Sequence, residues 1–114
     1  ATELNNLAQI LHVTNRVAEA EPLMRRALKI DEQRYEAEHP NIARDLMNLA
    51  ILLDDTGRSH EAEPMLRRAR QIFVKRLPAE HPYAQGALQA YLAVLQSLGK
   101  SPTEIQALMA SPDL

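Results

Sequence analysis

Four histidines, three glycines and fifteen carboxylates are the residues of this 114-residue chain best suited to chemistry. The histidines stand at positions 12, 39, 60 and 81. None has another His four residues on, so no helix face offers a ready metal pair. His60-Glu61 lacks the second His of the H-E-x-x-H zinc pattern. Gly57, Gly86 and Gly99 are isolated, which excludes a glycine-rich phosphate loop. No nucleophile elbow is present. There is no cysteine, hence no thiolate ligand, cysteine nucleophile or disulfide. No catalytic residue, metal site or cofactor is expected, and the chain does not read as an enzyme. His39 and His81 each precede a proline at one recurring position, which suits a helix cap or a contact to a neighbouring unit.

The carboxylates are too regular for a paired acid and base. Glu19, Glu21, Glu61 and Glu63 recur at helix starts, where they complement the positive end of the helix dipole. Glu21 and Glu63 stand four residues before Arg25 and Arg67, a stabilising order for a helix pair. Acidic residues interleave the Arg25-Arg26 and Arg67-Arg68 pairs, the aromatics are single, and the net charge is −2. Nucleic-acid binding is therefore not expected. The longest apolar run, 49–53, is far below the roughly 18 residues of a membrane span, so no membrane association is expected. No signal segment opens the chain. A cysteine-free chain suits a reducing compartment, and the expected location is cytoplasmic. The chain lacks an initiator Met and reads as a fragment of a longer protein or a processed product.

The elements that must position these residues are repeated. Asn6-Leu7-Ala8 recurs as Asn48-Leu49-Ala50, Glu19-Ala20-Glu21-Pro22 as Glu61-Ala62-Glu63-Pro64, and Ala37-Glu38-His39-Pro40 as Ala79-Glu80-His81-Pro82. Each pair is 42 residues apart, and about half of positions 1–42 are identical in 43–84. A weaker third copy starts near residue 85. Leu4, Leu7, Ala8 and Leu11 follow the i, i+3, i+4, i+7 helix spacing, and Leu46, Leu49, Ala50 and Leu53 repeat it. A second stripe runs Ala20, Leu23, Met24, Ala27 and Ile30. Asn15 and Gly57 suit the left-handed residue that ends a helix. Pro40 and Pro82 suit a first helical position. Ser101-Pro102-Thr103-Glu104 reads as a capping box opening a short last helix that Ser111-Pro112 ends. Helices are expected over 2–14, 18–36, 40–56, 60–77, 82–98 and 102–110. Pro22 and Pro64 should fall at the end of a first turn and open or bend it slightly.

One hairpin cannot bury its apolar face alone, so the expected fold is all-α: antiparallel helix hairpins stacked into a solenoid of about two and a half repeats. The boundaries are repeats at 1–42 and 43–84 and a partial capping repeat at 85–114, one domain in all. An end repeat shows apolar surface, so Leu4, Ile10 and Leu11 are expected to be partly uncovered.

Leu4, Leu7, Ala8, Leu11, the turn at Asn15, then Ala20, Met24 and Ala27 resemble a tetratricopeptide repeat. With the long period and the phrases LNNLA, EAEPLMRRALKI and AEHP, the chain is similar to the kinesin light chain type. The third copy departs, with Tyr91 for Leu7/Leu49 and Leu92 for Ala8/Ala50. The resemblance implies a right-handed α-α superhelix and a non-catalytic protein-interaction scaffold. Its concave groove would take a peptide segment or a partner helix. Carried over by position, the groove residues are Thr2, Asn5, Asn6, Gln9 and His12, then Arg44, Met47, Asn48, Ile51 and Asp55, then Gly86, Gln89, Ala90 and Ala93. Asn6 and Asn48 could pair with the backbone of an extended peptide, since an amide both donates and accepts. The alternative is that each Asn bonds across to the adjacent repeat. A carboxylate clamp is disfavoured, because Arg44 is the groove's only clear cation. Two other readings stand beside this one: a structural or self-associating stretch of a longer solenoid, and a regulatory module of a multidomain protein.

Overall fold

The computed structural model describes residues 2–14 and 16–110, without the side chains of residues 2, 3, 5, 13 and 109. Six helices follow one another: α1 (Thr2–Val13), α2 (Val17–Arg34), α3 (Pro40–Asp55), α4 (Ser59–Arg76), α5 (Pro82–Ser97) and α6 (Pro102–Met109). Among the described residues there is no strand. The expected ends lie within two residues of these bounds. The expected turn at Asn15 and the stop at Ser111-Pro112 lie outside the described residues.

The helix boundaries follow from local chemistry. Pro40 and Pro82 open α3 and α5, where a missing N–H costs nothing. His39 Nδ1 accepts from the Asn41 N–H at 3.1 Å, and His81 Nδ1 from the Tyr83 N–H at 3.1 Å. Both histidines are therefore N-caps. The ring of His39 also stacks on Tyr35, 4.0 Å between centroids. Ser101 and Glu104 form the reciprocal capping box of α6. At the other end of α3, Gly57 takes φ +80°. The Arg58 N–H reaches the Leu53 carbonyl at 2.8 Å and the Gly57 N–H reaches Asp54 at 3.1 Å, a Schellman closure. Lys100 and Gly99 close α5 on Leu95 and Gln96 in the same way.

The prolines sit deeper than their spacing suggests. α2 starts at Val17 and α4 at Ser59, so Pro22 and Pro64 are each the sixth helical residue, in the second turn. Each helix runs through its proline without interruption. The first turn is tightened rather than opened, since the Glu19 and Ala20 N–H groups share the Arg16 carbonyl at 3.1 Å. Glu61 and Ala62 share that of Arg58.

The core lies between the helix layers. Leu49, Ala50, Leu52 and Leu53 of α3 are fully buried against Ala8, Met24, Ala62, Leu66 and their neighbours. Each such leucine contributes about 1.5–3 kcal/mol. Small residues at Ala8, Ala20, Ala50 and Ala62, all 0 % exposed, let the helices approach closely. At the first helix, Ile10 is 61 % and Leu7 48 % exposed. Leu4 is half-buried. The expectation for Leu11 is corrected: it is buried, because it points into the core shared with α2 rather than to the open end.

Candidate binding groove

The inner ridge follows from which helices touch. α1 packs on α3 and α3 on α5, whereas the backbones of α2 and α4 lie farther apart and meet through long side chains such as Glu32 and Arg68. Helices crowded on one side and spread on the other make a curved stack, with α1, α3 and α5 inside.

Along this ridge Asn6, Gln9 and Gln89 are exposed, and Ile51 is half-buried. The side chains of Thr2 and Asn5 lie outside the described residues. Asp55 is held by His12, whose Nε2 lies 2.8 Å from Oδ2. Met47 is only 8 % exposed and offers little surface. Gly86 faces it, and a Cβ there would lie 3.9 Å from the Met47 sulfur. Asn6, Gln9, Ile10 and Thr14 line an open depression of about 550 Å³.

Asn48 carries the sharpest detail. Its Nδ2 is buried and has no hydrogen-bond partner. For Asn48, the expected alternative of a bond across to the adjacent repeat is not made among the described residues. One turn earlier Arg44 Nε is likewise buried without a hydrogen bond. The other end of that guanidinium lies 3.8 Å from Asp31 Oδ2 and 3.5 Å from Asp45 Oδ1. Asp31 and Asp45 are 0 % and 1 % exposed, and sequence reasoning missed both. The signal was present: 42 residues on, these positions hold Phe73 and Ala87, so two acids occupy sites that are apolar in the next copy. Arg44 is thus partly neutralised from beneath, and the ridge is amide-rich rather than charged.

Ion pairs tie successive hairpins together on the outer side. Arg58 reaches Glu21 at 2.7 Å and Glu61 at 2.6 Å, and Arg25 binds Glu21 at 3.0 Å. Burial pushes the Glu21 carboxyl up, but Arg25 and Arg58 outweigh it and hold it below the usual carboxylate range. In the next copy Glu63 pairs with Arg67 and accepts from the Tyr91 hydroxyl at 3.2 Å. Burial, foremost, raises the Tyr91 phenol. A second set of contacts locks the loop after α2. Arg68 lies 3.6 Å from Glu32 and donates to the Ala37 carbonyl at 3.3 Å. Lys75 binds Glu38 at 3.1 Å, and Arg76 pairs with Glu36 while donating to the Glu38 carbonyl at 3.1 Å.

Among the described residues no group of His, Asp and Glu could hold a metal ion, and no helix is long and apolar enough to cross a membrane. No curated protein matches the chain. The tetratricopeptide repeat family matches residues 1–73. With its stacked hairpins and small-residue contacts, the chain belongs to the tetratricopeptide repeat family.

Proposed function

We propose that this domain, residues 1–114, is a non-catalytic scaffold that holds an extended peptide segment along the ridge of α1, α3 and α5. Tetratricopeptide repeats generally mediate protein–protein contacts. The observation that carries the finer reading is the buried, unpartnered amide nitrogen of Asn48. An unsatisfied buried polar group costs about 1–3 kcal/mol, so such a group needs a reason. A peptide carbonyl brought to Asn48 would supply the acceptor that this nitrogen lacks. Asn6 offers the same group on α1, exposed.

The proposed groove set is Asn5, Asn6, Gln9, Arg44, Met47, Asn48, Ile51, Asp55 and Gln89. The 42-residue period supports assignment to the kinesin light chain type. The test is selection from a displayed peptide library, with the wild type and the Asn6→Ala/Asn48→Ala variant compared on the selected peptides. We expect the variant to lose at least about tenfold in affinity, the worth of one to two hydrogen bonds, and to keep its melting temperature. Unchanged affinity in the double variant would overturn the groove assignment.

A further inference from the structure

We propose that the cleft between α4, α5 and α6 binds a small amphiphilic carboxylate, an acid head on an apolar chain. None of the residues lining it belongs to the groove set above.

The cleft arises from two changes of residue within the third hairpin. Ala8 and Ala50 on the first helix of a pair, and Ala20 and Ala62 on the second, are 0 % exposed and let the paired helices approach closely. In the third copy these positions hold Leu92 and Glu104. Close-packed helices leave no room for such side chains. Accordingly α6 stands farther from α5 than α2 does from α1 or α4 from α3. Leu108 shows the result: it is half-buried, whereas Leu66, its equivalent on α4, is 0 % exposed.

The clasp that closes the preceding junction is also undone. There Arg58 reaches back to Glu21 at 2.7 Å. The equivalent residues are Lys100 and Glu63. Lys100 turns to Glu104, 3.8 Å away, and Glu63 is held by Arg67 and the Tyr91 hydroxyl. Between them lies a cleft of about 310 Å³.

Its lining fits one class of ligand. Leu95, Leu98 and Leu108 form an apolar floor, buried or half-buried. His60, Arg67 and Lys100 stand exposed at the rim with a single acid, Glu63, whose charge Arg67 already matches. An anion therefore meets Lys100 and His60 as donors, while an apolar chain covers the leucines. A bare phosphate would make no use of the floor, and a neutral hydrocarbon none of the rim. At about 30 Å³ per water-sized group, the cleft holds roughly ten heavy atoms, about the size of an eight-carbon acid.

Octanoate is the probe, titrated into the 114-residue chain and followed by NMR. The amides of Leu98, Gly99, Lys100 and Leu108 should shift, and those of Asn6 and Asn48 should not. Octanol, which lacks the charge, and acetate, which lacks the chain, should each bind at least about fivefold more weakly. Lys100→Gln, at an exposed position, should weaken octanoate about fivefold and leave octanol unchanged. Leu98→Phe, which fills the floor, should weaken both. Octanoate without effect at the cleft, octanol binding as tightly as octanoate, or an affinity indifferent to Lys100→Gln would overturn the proposal. So would a peptide ending in leucine that binds the cleft more tightly than octanoate, because the occupant would then be a chain end.

Discussion

At the scale of single residues, two of the histidines act as helix caps. His39 and His81 satisfy the first orphan N–H groups of α3 and α5. Replacing His39 with Ala should cost about 1 kcal/mol in urea unfolding, whereas His39→Asn, a good N-cap, should recover most of it. Glu21 is a residue whose ionisation bears on stability at low pH. Its folded carboxyl lies below the ordinary range, so it favours folding above the unfolded value of about 4.3, and that contribution is lost as pH falls through the folded value. Urea midpoints measured from pH 6 down to 3 should fall less steeply in Glu21→Gln than in the wild type. The histidine caps were legible because each His precedes a proline in phase. The buried Asp31–Arg44–Asp45 group was not, because single acids in a helical stripe look like solvated positions until a partner helix covers them.

At the scale of elements, the six helices were legible to within two residues, since apolar spacing, proline and glycine punctuation all agreed. The helix prolines were read less well. The spacing put Pro22 at the end of a first turn, whereas it lies in the second, because the start is fixed by Arg16 sharing its carbonyl between two N–H groups rather than by a capping side chain. Pro22 removes the bond its N–H would make to the Ala18 carbonyl. Pro22→Ala should therefore stabilise the protein by about 1–3 kcal/mol, seen as a higher melting temperature; a lower one would mean that the proline shapes the packing of α2. Gly57→Ala, forced into φ +80°, should cost about 1–2 kcal/mol.

At the scale of the whole molecule, the period of 42 residues dictated a stack, but the ion pairs that lock one hairpin to the next emerged only from three dimensions. The loop lock needs Arg68, Lys75 and Arg76 to meet Glu32, Glu36 and Glu38 across 36 to 40 positions, and no local pattern reveals such pairs. Removing Arg68 and Arg76 together should lower the urea midpoint, and less so in high salt, where the wild type is already screened. The ridge itself is amide-rich, with Asp55 held by His12 and Arg44 drawn towards Asp31 and Asp45. Peptide affinity should accordingly depend little on ionic strength. The most direct measurement is NMR of the Asn48 side-chain amide during titration with a selected peptide. The account predicts that the Asn48 NH₂ signals shift and exchange more slowly with solvent at saturation, while the exposed Gln33 amide on α2 stays unchanged. Shifts confined to α2 and α4, with the Asn48 amide unmoved, would contradict it.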